Sequence, residues 1–334
     1  MLDMKELLHA LSRATHPAGE QCALDRIEEA FHGVAATERM GNSLIATLPG
    51  KRDYTILLDA HVDEIGLIVT AVHGGFVKVA SCGGVDLRTL PASEVVIHGR
   101  QAVRGVFATL PPHLKSGEDT LPELADMVID TGFDSLEGIV TAGDRVSFCV
   151  QPRALLGERM TGKSLDDRAG VAALIYAAQK LCGQELPCTV KLLFSDQEEL
   201  GCLGAQTAAF ALAPDEAVAV DVSFGDGPDV SADKCGRLGA GPMIGVSPVL
   251  HARVTERLFQ TADDRKIAYQ IEAMGGRTST NADVIALSQS GVACGLVSIP
   301  LRSMHTAAEV IDLADVRSVG ELLYHYVMGG GICD

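Results

Sequence analysis

The sequence predicts an α/β protein, a mixed sheet flanked by helices, interrupted by a small inserted β-barrel. Three observations carry that expectation. In both outer parts of the chain, apolar runs rich in glycine and valine alternate with helical periodicity, the pattern of strands and helices in turn. Between about Gly66 and Pro152 the alternation stops, and short β-type runs follow one another between Gly, Pro and Asp turns. Of the 334 residues 47% are hydrophobic and 21% charged, enough apolar side chain to bury a full core and too much for a disordered chain. The expected division is residues 1–65 with 157–334 as one domain and 66–156 as the insertion.

Taken in order, the first helix is expected over residues 3–14, with Leu7, Leu8 and Leu11 on one face. A second follows the break at Pro17 and Gly19 and runs through ALDRIEEAF. Strands are expected at SLIATL and at YTILLDA, which leads into His61. Inside the insertion, GLIVTAVHGGFVKVASCGG, SEVVIHGRQAVRGVFATL and DRVSFCVQ supply the β-type runs, with one short helical stretch near PELADMVI. Helical periodicity returns at LDDRAGVAALIYAAQKL, followed by the buried strand CTVKLLFS, a helix after EELGCLG and the strand AVAVDVS. A helix at ADVIALSQSG, the strand GLVSI and a helix through VRSVGELLYHYV complete the pattern, with GGG at Gly329 as the stop.

Composition narrows the function classes. A net charge of −17 opposes nucleic-acid binding, and the absence of Trp leaves few stacking platforms for bases or long sugar chains. No apolar run reaches the ~18 to 20 residues of a membrane span, and MLDMKELLHA reads as an amphipathic helix rather than a signal peptide. A membrane partner is therefore not expected, and a cytoplasmic location is. The nine cysteines are odd in number and form no Cys-x-x-Cys pair, which points to thiols rather than a zinc ribbon or disulfide framework.

Candidate chemistry collects where strands hand over to loops, the edge at which open α/β sheets bind ligands. His61 and Asp63 follow an apolar strand and point to the same side of an extended segment, so Asp63 can orient the imidazole. Asp166 and Asp167 stand at a helix entrance, where capping is the plainer reading. Glu198 and Glu199 follow a strand too apolar for a surface segment, and Asp221 ends another. Buried carboxylates of this kind need cations or several donors around them. His305 lies just past a further strand. Two histidines and three carboxylates from separate strand ends suit a pair of divalent cations, with one carboxylate bridging and a neighbouring one free to take a proton.

Jointly and in this order, His-x-Asp-Glu-Ile-Gly, Leu-Asp-Asp-Arg, Glu-Glu-x-Gly, a strand-terminal Asp and Arg-x-Met-His are specific. The chain resembles the tetrahedral (TET) and glutamyl aminopeptidases, a metallopeptidase family with some members labelled endoglucanase in older naming. The resemblance runs from the turn near Glu20 to His305 and the last helix. It implies a zinc-exopeptidase-like domain with the inserted barrel used for dimerisation. It implies that His61 and Asp221 hold one divalent cation, that Glu199 and His305 hold the other, and that Asp166 bridges them. Glu198 is then the general base and Asp63 the partner of His61. Two zinc ions per subunit are the first expectation, and cobalt or manganese suit the same donors. Members act on short peptides and assemble as dimers or hollow dodecamers, so a homo-oligomer is expected.

Spacing alone leaves open which of Asp166 and Asp167 bridges. The chain departs from the family at Thr280-Asn281-Ala282-Asp283, where Thr-Asp-Ala is usual, and at Ser303, where Tyr is common. Two other functions compete: a glycoside hydrolase using paired carboxylates, which leaves His61 and His305 idle, and an inactive metal-stabilised peptide-binding assembly, favoured only by Asn281. His98 and His113 fall in the insertion as structural or interfacial residues, and Arg168 either pairs with a site carboxylate or lies exposed at a helix start.

Overall fold

The computed structural model describes residues 3–15, 22–109, 113, 123–228 and 230–333. The expected turn from Pro17 to Glu20 lies outside the described residues. The chain opens with α1 (Met4–Arg13) and α2 (Cys22–Ala30). The carboxylate of Asp3 caps α1 by accepting from the Lys5 and Glu6 N–H groups, while Leu8 and Leu11 are buried and Leu7 packs at the core edge. Three strands follow: β1 (Ala36–Met40), β2 (Ser43–Leu48) and β3 (Arg52–His61).

The insertion comes next, as β4 (Gly66–His73), β5 (Phe76–Cys82), β6 (Glu94–His98), β7 (Ala102–Phe107), β8 (Ile129–Asp130) and β9 (Arg145–Phe148). These close into a barrel in the order β4-β5-β8-β7-β6-β9. Inward residues such as Leu67, Val69, Val95, Ile97, Phe107 and Val146 fill it, and closure leaves no unpaired edge. The stretch expected near PELADMVI is a 3-10 turn at Leu124–Asp126. His98 donates to or accepts from Ser147 Oγ at 2.7 Å within the barrel wall, and His113 is exposed.

The chain then returns through β10 (Arg153–Ala154), β11 (Arg159–Gly162), α3 (Leu165–Leu181), β12 (Cys188–Ser195), α4 (Leu203–Leu212) and β13 (Glu216–Phe224). It ends with β14 (Met243–Val246), α5 (Ala252–Arg265), β15 (Gln270–Ala273), α6 (Ala282–Ile285), β16 (Ala293–Leu301), β17 (Glu309–Asp312) and α7 (Leu313–Met328). Eight strands form one mixed sheet in the order β1-β2-β12-β3-β13-β16-β14-β15, and β10-β11-β17 form a second. The centre of the large sheet, β12-β3-β13-β16, is parallel. Period-two alternation sends Ile56, Leu58 and Ala60 of β3 into the layer of α1, α2, α3 and α7, and Leu57 into the layer of α4 and α6. The expected α/β architecture with its inserted barrel is the one observed.

Helix α3 buries 14 of its 17 residues, as a helix covered on all sides must. It lies close to α7, where a Cβ on Gly320 would stand 2.6 Å from the Tyr176 ring. Several elements differ from expectation. The helix expected at ADVIALSQSG stops at Ile285, and Leu287 just beyond it is exposed. The sequence reading assigns nothing to β14, α5 and β15, yet Val254, Leu258, Thr261 and Ala262 give α5 a buried stripe at helical spacing.

Phe31, just past α2, packs edge-on against Phe194 of β12 with ring centroids 5.5 Å apart, and both are fully buried. Phe31→Ala should destabilise the protein by about 3 to 5 kcal/mol, read as a fall in the urea midpoint.

Candidate metal centre

Parallel pairing sets the site. Because β12, β3, β13 and β16 run the same way, their C-terminal ends converge. His61 ends β3, opposite Ser195 on β12, and Glu198 and Glu199 follow in the next loop. Asp221 lies on β13, His305 lies four residues beyond β16, and Asp166 opens α3. All six residues line one cavity of about 740 Å³, within the size range of ligand pockets.

Among the described residues two groups could hold a cation: His61 with Asp166 and Asp221, and Asp166 with Glu199 and His305, the ligand atoms of each lying within 4.8 Å of one another. Asp166 is common to both. Its Oδ1 is 3.0 Å from His61 Nε2 and its Oδ2 is 3.4 Å from His305 Nε2. Asp221 Oδ1 approaches His61 Nε2 at 3.9 Å, and Glu199 Oε1 approaches His305 Nε2 at 3.6 Å. Asp167 has a different part, since its Oδ1 accepts from the Gly170 N–H at 2.9 Å, as a helix cap does. The capping reading of this acidic pair holds for Asp167, and Asp166 is the one between the imidazoles.

Backbone carbonyls fix both rings. His61 Nδ1 donates to Asp63 O at 3.2 Å and His305 Nδ1 donates to Gly84 O at 3.0 Å, which leaves Nε2 of each ring as the nitrogen facing the carboxylates. Asp63 Oδ1 also stands 3.5 Å from His61 Nδ1. Gly84 belongs to the insertion, so the barrel reaches the site. A Cβ there would lie 2.6 Å from His305 Nδ1, so only glycine allows the approach.

Two buried carboxylates hold the loops. Asp63 accepts from the N–H of Glu198 at 3.0 Å and of Glu199 at 3.2 Å. Glu309 accepts from the N–H groups of Leu165, Asp166 and His305 at 2.7, 3.2 and 3.1 Å, tying together the segments that carry Asp166 and His305. The sequence reading omits Glu309. Its signal is a glutamate at an inward position of β17, on the same face as buried Ile311. Ser164, Gln197, Ser303 and His305 all have left-handed φ, between 58° and 60°. Each adjoins or is a site residue, and such backbone costs about 1 to 3 kcal/mol per residue.

The electrostatics fit a cation. Burial pushes the Glu199 carboxyl up to about 8, with Asp166 adding to it, and burial raises Asp221 and Glu198 as well. Burial also opposes ionisation of Asp166, but the two imidazoles outweigh it and hold that carboxyl below the usual range. His305 rises to about 9, chiefly through Asp166. Carboxylates that resist ionisation together release protons when a cation arrives. Arg168 is fully buried rather than exposed, and the negative field of Glu64, Asp63, Asp167 and Asp196 offsets part of its burial.

The departures from the expected pattern also find places. Asn281 Nδ2 donates to Asp59 Oδ2 at 2.8 Å and to Ser195 Oγ at 2.9 Å beneath the site. The Asp283 carboxylate accepts from Thr278 N, Thr278 Oγ1 and Ser279 N, shaping a loop of the cavity wall. Burial lifts the Asp59 carboxyl to about 7.

Comparison with known proteins gives consistent matches. A family model described as M42 glutamyl aminopeptidase matches residues 42–322. The lysyl aminopeptidase of Pyrococcus furiosus is 32% identical over 85% of this chain and 84% of its own length. The solved aminopeptidase of Desulfurococcus kamchatkensis superposes with a TM-score of 0.91 at 32% identity, covering 97% of this chain and 94% of that one. The TET1 peptidase of Pyrococcus horikoshii, which can assemble into a tetrahedron or a large octahedral shell, has a TM-score of 0.85 at 29% identity, covering 97% and 99%.

Asn281→Asp would set a second carboxylate against Asp59. The expected cost is about 2 kcal/mol at pH 8, shrinking towards pH 5. The pair's folded-state pKa values then stand above the unfolded ones, so protonation relieves the repulsion as pH falls. Melting temperatures across that pH range check it. Glu309→Gln presents an amide to a cluster of N–H donors, and divalent-cation affinity should fall about 10- to 100-fold, measured by chelator competition.

Proposed function

The chain belongs to the M42 glutamyl aminopeptidase family, and from that premise we propose that it is a two-cation aminopeptidase releasing N-terminal residues from short peptides. The observation that carries the proposal is the pair of candidate triads sharing Asp166 in one cavity. Mixed imidazole and carboxylate donors suit zinc, cobalt or manganese better than magnesium or calcium. On this reading His61 and Asp221 hold one cation, Glu199 and His305 hold the other, and Asp166 bridges. Bound there, two divalent cations supply activation of a water and polarisation of the scissile carbonyl near neutral pH.

The chain's own residues do the rest. Glu198 lines the cavity but belongs to neither triad, and burial raises its pKa. A carboxylate of that kind is suited to take a proton from the attacking water and give it to the leaving amine. Asp63 fixes the Glu198 and Glu199 backbone and orients His61. Glycosidic hydrolysis would use the carboxylates and leave both imidazoles without work.

Residues 66–156 are assigned to dimerisation within a homo-oligomer. Phe76 and Phe133 stand exposed at one end of the barrel, and such side chains are readily covered at interfaces. A cytoplasmic location accords with the described cysteines being free thiols. No described helix is long and apolar enough to cross a membrane.

Hydrolysis of aminoacyl p-nitroanilides and short peptides, after chelation and again with Zn, Co or Mn restored, tests the proposal; cation-restored release of N-terminal residues is expected. Glu198→Gln should keep its cations by elemental analysis while kcat falls at least about a hundredfold. Near-normal turnover in that variant would remove Glu198 from the role.

A further inference from the structure

We propose that Glu272 selects a cationic N-terminal side chain, so that peptides beginning with Lys or Arg are the favoured substrates; this rests on the aminopeptidase reading of the same cavity. Glu272 lies half-buried on the edge strand β15 and lines the cavity that holds both triads. Its Oε1 accepts from Ser223 Oγ, and its Oε2 accepts from Ser298 Oγ at 2.7 Å. Ser223 is two residues beyond Asp221 on β13, and Ser298 is the direct register partner of Asp221 on β16. The carboxylate is therefore anchored one strand spacing, about 4.8 Å, to the side of Asp221 that faces away from His61. A substrate whose first carbonyl lies at the triads would direct its N-terminal side chain along this wall.

The charge of Glu272 is left for a ligand. Both of its partners are neutral hydroxyls, which fix the rotamer and occupy two of about four acceptor sites on the carboxylate. No described Lys, Arg or His forms an ion pair with it, and Lys234 and Arg277 are exposed on the same cavity's lining. Met243, Met274 and Leu296 supply aliphatic wall, which suits the methylene stem of a long cationic side chain while its head meets the carboxylate. An acidic N-terminal side chain would instead face like charge.

The test compares Arg-, Lys-, Leu- and Glu-p-nitroanilide with the wild type and with Glu272→Gln. Arg and Lys substrates should exceed Leu and Glu at least tenfold in kcat/KM, and the variant should lower the Arg:Leu ratio at least tenfold. A wild-type preference for Leu or Glu overturns the proposal, as does an equal loss on Arg and Leu that preserves the ratio. Calorimetry with argininamide and leucinamide in the Glu198→Gln background, where their hydrolysis is suppressed, reads the pocket apart from turnover. If no substrate is cleaved, the aminopeptidase reading fails on its own. Tighter argininamide binding that Glu272→Gln abolishes still supports the selection, and equal binding of the two amides overturns it.

Discussion

The position of Asp166 between two imidazoles is the constraint on which the rest of the site depends. One carboxylate faces His61 with one oxygen and His305 with the other, so the two candidate cation groups share a residue. The other acidic members of those groups, Asp221 and Glu199, are buried against their own ionisation. Without a positive charge they would protonate rather than stay charged in a low-dielectric interior. The chemistry of the site is thus written into an arrangement that is electrostatically unsatisfied by protein alone.

Holding such groups close together requires backbone that is fixed elsewhere. Asp63 and Glu309 do so, each accepting with its carboxylate from main-chain N–H groups of the site loops. Left-handed residues at Ser164, Gln197, Ser303 and His305 mark where the chain is bent to bring ligands in. The inserted barrel also takes part, because the Gly84 carbonyl sets the His305 tautomer. The same sheet that gathers the candidate ligands also anchors Glu272, whose carboxylate accepts from Ser298, the register partner of Asp221.

Much of this was legible in the sequence, for physical reasons. β3, β12, β13 and β16 are buried on both faces and read as continuous apolar runs, and the ionisable residues that follow them stand out for that reason. The long apolar α3 and the β-only stretch after Gly66 were equally plain. Less legible were α5, whose polar face dilutes its stripe, and α6, where apolar residues continue past the end of the helix. Glu309 and Gly84 were missed because their work is done through hydrogen bonds to residues far away in the chain, which leave no local pattern.

By itself the sequence determined the fold class, the family resemblance and the candidate residues for a cation site, since periodicity, burial pattern and motif order are local properties. It left Asp166 and Asp167 equivalent, because spacing does not reveal which carboxylate turns outward. Tertiary structure decided that question: Asp167 is spent on Gly170, and Asp166 lies between two imidazoles delivered by different strands. It also decided the place of Asn281, which is matched to Asp59, a residue 222 positions away. Distances across a folded sheet set these pairings, and no stretch of chain records them.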